Sequence, residues 1–216
     1  CLNTDVMSNR LSRLERTEQN RSLVLAAARR VFLARGYHGA TLEQIADEAG
    51  FSKGVVYSHF DSKADLFLTL LRARIEERSA DNARVASSRP SGGVAALLEH
   101  LAGVDRAEPE WMLLLIEFRV HAARHPEINR RYAEAHERTI SGLASVLAGL
   151  QEQGEQLPLP PRPLAEFMLT VGFGAALEQA ANPDALGGAA LAQRIASLIT
   201  GRAPARPSPA ALRSHA

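Results

Sequence analysis

Apolar residues recur at helical spacing from the first well-patterned stretch onward. Val24, Ala27, Ala28, Val31 and Phe32 share one face of a segment that is otherwise polar, which predicts a helix over about 17–35. Gly36 follows where a helix C-cap would sit. A second, short helix starts after Thr41: in "TLEQ" the Thr41 hydroxyl is placed to cap the first turn while Gln44 reaches back, and Leu42, Ile45, Ala46 and Ala49 form its inner face. Gly50 breaks the chain, and Ser52 is an N-cap candidate for a third short helix to about His59. "DSKAD" opens a fourth, with Ser62 as N-cap and Asp65 at the N3 position, continuing past Arg72 and fraying near Ser87 and Ser88. "SSRPSGG" reads as a linker. Further helices are expected over 92–104, 108–124, 126–151, 162–181 and 187–200, with Pro109 and Pro126 near starts, where proline is tolerated. "QLPLPPRP" (156–163) is a loop, and the Pro- and Ala-rich tail from 202 is expected to be disordered. No segment alternates in the manner of a strand, so the expected fold class is all-α.

Composition narrows the function classes. Hydrophobic residues make up 46% of the 216 and charged residues 23%, an ordinary globular balance. No apolar run approaches the ~18–20 residues of a membrane span, and no signal peptide is visible, so no membrane partner and a cytoplasmic location are expected. The first residues, "CLNTDV", are set aside as upstream or added sequence, with Met7 expected as the natural start. The single cysteine, Cys1, excludes an internal disulfide or a cysteine-rich metal site. The net charge of +1 hides an uneven distribution: seven arginines against Asp5, Glu15 and Glu18 in residues 1–35, and Arg202, Arg206 and Arg213 without an acid in 201–216. Basic ends suit contact with a polyanion, and solvated tails would look the same. Of 25 basic residues only Lys53 and Lys63 are lysines, and both fall in "AGFSKGVVYSHFDSK".

That stretch holds the candidate chemistry. Two short helices separated by Gly50 and Phe51 form a helix-turn-helix pattern, in which the second helix enters the DNA major groove. Phe51, Val56 and Phe60 would hold this second helix on the first, leaving Lys53, Gly54, Val55, Tyr57 and His59 outward. The small residues Ser52 and Gly54 at its tip permit close approach to bases. Thr41 and Ser62–Lys63, each at a helix start with unpaired N–H groups, are placed to hold phosphate oxygens. The plainer reading is that Thr41 and Ser62 are ordinary caps, Tyr57 a half-buried core residue and His59 a surface histidine.

"RSLVLAAARRVFLARGYHGATLEQIADEAGFSKGVVYSHFDSKADLFLTLL" (21–71) resembles the DNA-binding domain of TetR-family transcriptional regulators. The likeness lies in "AA…F…GY", "T…IA…AG" and "SKG..Y.HF.SK..L", many residue types at fixed spacing across about a quarter of the chain. It implies an N-terminal three-helix helix-turn-helix domain, a larger C-terminal helical domain for ligand binding and dimerisation, and no enzymatic activity or cofactor. The expected division is an arm at 1–14, the DNA-binding domain at 15–61, the helical domain at 62–201 and a tail at 202–216. By position, the resemblance makes Lys53, Gly54 and Val55 the base-facing start of the recognition helix, and Thr41, Tyr57, His59 and Lys63 phosphate contacts. Val55 stands where threonine is frequent, which leaves apolar contact such as that with a thymine methyl. The implied partners are a palindromic double-stranded DNA operator, a second copy of the chain and a small apolar or aromatic effector that releases a repressor.

In the C-terminal half, "EWMLLLIEFRVHAARHPE" is apolar over much of its circumference and therefore buried. Phe67, Leu71, Trp111, Leu115, Phe118, Phe167 and Met168 are candidates for an effector pocket, with plain core as the alternative. Phe173, Leu177, Leu191, Ile195 and Leu198 are candidates for a dimer seam, which the resemblance places in the last two long helices; packing within one subunit is the alternative. His121 and His125 at i, i+4 with Glu117 one turn earlier have a spacing able to chelate metal, but no HExxH pattern accompanies them, so no metal site is expected. Two rival readings stay open here: a ligand-independent DNA-binding protein of the same fold, and a helical metal-dependent enzyme built on His121 and His125.

Overall fold

The computed structural model describes residues 13–88 and 93–182 and the single residue Ser197. Among these residues the chain forms eight helices. They are α1 (Arg13–Gly39), α2 (Leu42–Ala49), α3 (Lys53–His59), α4 (Lys63–Ser87), α5 (Gly93–Ala107), α6 (Pro109–Ala123), α7 (Pro126–Glu152) and α8 (Pro161–Ala181). The helix expected over 187–200 lies outside the described residues apart from Ser197, as do residues 1–12, most of the linker and the tail.

Two compact units meet within α4, the first ending at Leu71 and the second starting at Arg72. The first unit thus runs ten residues beyond the expected boundary at 61. The reason is packing: Leu66 and Phe67 of α4 are fully buried, and the Phe67 ring stands edge-on to Phe32 and Tyr37 at 5.4 and 5.6 Å between centroids.

In the first unit α1 begins at Arg13 rather than near Thr17, with Glu15 in the first turn where the helix dipole favours an acid. Its regular course ends at Gly36, whose φ of 68° and ψ of 174° only glycine adopts readily. Val24, Ala27, Ala28 and Phe32 are fully buried, as the spacing predicts. α2 starts with the full capping box: Gln44 N–H donates to Thr41 Oγ1 at 3.2 Å, and Thr41 N–H to Gln44 Oε1 at 3.1 Å. It ends at Gly50 in the left-handed region. α4 opens with a similar exchange, since Asp65 N–H donates to Ser62 Oγ and Asp61 N–H to the Asp65 carboxylate. Ser52 stands at the N-cap position of α3, yet its side chain makes no capping bond.

The second unit has a core of Val94, Leu97 and Leu98 from α5, Ile140, Leu143, Leu147 and Leu150 from α7, and Leu164, Ala165 and Met168 from α8. α6 adds Trp111, Leu114, Phe118 and Ala122. Proline occupies the start of α6, α7 and α8, where a missing N–H costs nothing. The Arg162 guanidinium forks onto Glu137 at 2.7 and 2.9 Å, tying α8 to α7 and holding the Glu137 carboxyl down to about 2.

Candidate nucleic-acid interface

The outer surface of α3 is what the short helices position. Val56 and Phe60 are fully buried and fix α3 by one side. The other side leaves Ser52, Lys53, Gly54 and Tyr57 exposed, Tyr57 at 52%, with Val55 and His59 half-buried. A Cβ on Gly54 would meet only Ser52 Oγ, at an ordinary 3.8 Å, so packing within the chain does not require glycine there. Lys53 Nζ lies 3.1 Å from Glu43 Oε1 of α2. The Glu43 carboxyl is held below the usual range, first by its own backbone N–H and then by Lys53. The spacing rules had no means of finding Glu43, because its partner lies on the next helix.

Lys63 is placed differently from a free phosphate clamp. Its ammonium donates to the carbonyls of Tyr37 at 2.7 Å, Ala40 at 2.9 Å and His38 at 3.4 Å, and sits 4.6 Å from the Tyr37 ring centroid. Three protons face three acceptors. These carbonyls belong to the turn after Gly36, where helical partners are lost, and Lys63 caps them from α4. Burial lowers its pKa. Thr41 stays exposed, with its oxygen already accepting from Gln44.

The seven pocket candidates are divided between the two units. Phe67 and Leu71 belong to the first unit, Phe67 within its aromatic core. In the second unit Trp111 is buried with the Arg74 guanidinium 5.1 Å above its ring, while Arg74 also pairs with Glu108 at 2.6 Å. Phe118 is fully buried against Tyr132, Leu115 is half-buried, and Met168 joins the α5–α7–α8 core. Phe167 is 44% exposed, on the outer side of α8. An open groove of about 150 Å³ lies elsewhere, between Ala83, Ala86 and Ser87 of α4 and Ser145, Val146 and Gly149 of α7.

The His121 and His125 rings lie against each other, tilted by 32° with centroids 4.2 Å apart, and His125 Nδ1 is 2.7 Å from the His121 carbonyl oxygen. Among the described residues no group of three or more His, Cys, Asp or Glu side chains is placed to hold a metal ion. Of the seam candidates, Phe173 lies under the Arg119 guanidinium at 5.0 Å and Leu177 is half exposed. Leu191, Ile195 and Leu198 lie outside the described residues. No helix among the described residues is long and apolar enough to cross a membrane.

Comparison with known proteins places this architecture. Residues 24–70 match the model for bacterial regulatory proteins of the tetR family, and residues 90–204 match the C-terminal domain of BetI-type transcriptional repressors. The transcriptional activator FasR of Mycolicibacterium smegmatis is 48% identical over 69 residues, 32% of this chain and 31% of FasR. The transcriptional repressor AcnR of Corynebacterium diphtheriae is 32% identical over 134 residues, 61% of this chain and 63% of AcnR. The chain thus spans less than two thirds of either relative. The crystal structure of the transcriptional regulator FadR from Bacillus subtilis, in complex with stearoyl-CoA, shares the fold at 17% identity with a TM-score of 0.68, covering 83% of this chain and 98% of FadR. These matches are to regulators, not enzymes, and they set the helical-enzyme alternative aside. The two family models together span most of the described chain, and the chain belongs to the TetR family of bacterial regulatory proteins.

Proposed function

We propose that this protein is a sequence-specific DNA-binding transcriptional regulator that reads a palindromic operator as a homodimer and is released by a small apolar effector bound in its second unit. The observation that carries the DNA half is the two-sided character of α3. Val56 and Phe60 lock one side, while Lys53, Gly54 and Tyr57 stand bare on the other. Gly54 is bare without any need of the fold, which is what close approach of a base edge requires. Lys53 reads bases or backbone at the helix tip, where it exchanges Glu43 for the DNA. Val55 offers apolar contact, and Thr41, Tyr57 and His59 hold phosphates. At Lys63 the backbone of the α4 start, rather than the ammonium, meets the phosphate.

Repression is favoured over activation by the BetI-type repressor match of residues 90–204, although FasR shows that activators occur among the relatives. Dimerisation is supported by α8, which leaves Phe167, Gly174 and Leu177 exposed along one face. An effector with an apolar body suits the Leu-rich core of the second unit, and FadR of the same fold was solved with stearoyl-CoA.

The test is selection of bound sequences from a random double-stranded DNA pool by the full chain, with the winners retested across a salt series. A palindromic consensus is expected, with log affinity falling against log salt at about −0.9 per phosphate neutralised. Retention of DNA with no consensus at any salt concentration would sink the reading.

A further inference from the structure

Two acids of α2 take different partners. Glu48 pairs backward with Arg30 of α1, at 2.7 Å. Glu43, in the first turn, pairs forward with Lys53, the first residue of α3, at 3.1 Å. Both side chains of this second pair stay open to solvent, Lys53 at 62% and Glu43 at 42%. Ser52 gives α3 no side-chain cap. The tip of the recognition helix therefore carries one ammonium and one carboxylate side by side.

An exposed ion pair of this kind adds little to stability, so the fold does not account for an acid at this place. On DNA the acid matters more. Once Lys53 turns to the DNA, Glu43 is left charged and without its cation as water leaves the interface. It then needs a donor, because an ionised carboxylate only accepts. In the major groove a carboxylate finds that donor at the cytosine N4 amine, while lysine finds its two acceptors at guanine O6 and N7. These atoms belong to the two bases of one pair. The hydrogen bond joining O6 to N4 sets them about 2.9 Å apart, close to the 3.1 Å between Lys53 Nζ and Glu43 Oε1. An A·T pair inverts the pattern. N6–H stands at the O6 place and O4 at the N4 place, so the ammonium meets a donor and the carboxylate an acceptor.

We propose that Glu43 is a specificity-determining residue that reads, together with Lys53, one G·C pair in each operator half-site. The carboxylate accepts from cytosine N4–H, and the ammonium donates to guanine O6 and N7. The proposal rests on the DNA-binding half of the reading above and adds an acid of α2 to the reading surface. The opened ion pair is closed again through the base pair, so neither charge is left without a partner. Against an A·T pair the charges stay unmatched, which rejects that sequence as well as favouring the right one.

The test uses the full chain and duplexes of the selected operator. Each G·C pair in turn carries 2-pyrimidinone for cytosine, which lacks N4, or 7-deazaguanine for guanine, which lacks N7. One position is expected at which either analogue weakens wild-type binding about tenfold. At that position Glu43→Ala is expected to be indifferent to the cytosine analogue and to keep the guanine effect, and Lys53→Met to show the reverse. The Watson–Crick bond lost with 2-pyrimidinone is common to all the proteins and cancels in the comparison. Both side chains are exposed, so the helicity of each variant is expected to match wild type. An equal cost of the cytosine analogue in wild type and Glu43→Ala at every position overturns the proposal. So does a gain by Glu43→Ala of one common factor on every sequence with the analogue costs unchanged, which would make the carboxylate a repellent of phosphate only. A consensus without such a G·C pair overturns the role of Glu43 and leaves the DNA reading standing, whereas the absence of any consensus removes both.

Discussion

At Gly54 and Lys63 the structure separates what the fold needs from what the DNA needs. Glycine within an exposed helix costs about 1 kcal/mol relative to alanine, and a Cβ at 54 finds ample room. Gly54→Ala is therefore expected to raise stability by up to about 1 kcal/mol in urea unfolding while weakening the selected operator in a gel-shift titration. Unchanged operator affinity would remove Gly54 from the interface. Lys63→Met removes the donor from three carbonyls of the turn after Gly36. A stability loss of about 2 kcal/mol is expected, along with weaker binding to every DNA sequence. Full stability with DNA binding alone lost would show that the ammonium leaves the carbonyls for a phosphate. Both residues stand out in the sequence, as a glycine at a helix tip and as one of two lysines. Their partners do not, because carbonyls 23 to 26 residues away leave no mark in a spacing pattern.

Helix starts were legible wherever the device is local, and obscure wherever it is not. Thr41 with Gln44 and Ser62 with Asp65 are three residues apart; the first pair exchanges both capping bonds, and Ser62 caps the Asp65 N–H as the spacing predicts. The start of α5 is held from afar: Glu155, in the loop after α7, accepts from the N–H groups of Gly93 and Val94. No local motif announces that carboxylate. The same limit applies to any pocket, since an amphipathic pattern tells which face of a helix is buried and not which helix covers it. Gly93 shows how tight this junction is. A Cβ there would collide with Leu150 and stand 3.1 Å from Glu155 Oε1 and 3.2 Å from the Ala86 carbonyl oxygen. Gly93→Ala is expected to cost about 1–3 kcal/mol through overpacking. A chemical-denaturation midpoint equal to that of wild type would show that the α7–α8 loop gives way instead.

For the molecule as a whole, the all-α class was legible because helical spacing recurs along the chain and residues 21–71 carry dense, specific motifs. The proposed dimer seam was less so, because exposed apolar residues on one helix do not say what covers them. Leu177 decides the matter. It is half exposed on α8, so Leu177→Glu costs the isolated chain little, whereas across a two-fold seam each copy would bury a carboxylate against its mate. Wild type is expected to sediment as a dimer, and the variant to keep its helicity and sediment as a monomer at the same concentration. On the selected operator each monomer would neutralise only the phosphates of one half-site. The slope of log affinity against log salt should then fall to about half that of wild type, and affinity should become independent of half-site spacing. A mere loss of folding would flatten binding without this regular halving, so the two outcomes are distinguishable. A variant that stays dimeric with the full slope would move the seam off this face of α8, and with it the argument that the exposed Phe167–Leu177 stripe is where the two copies meet.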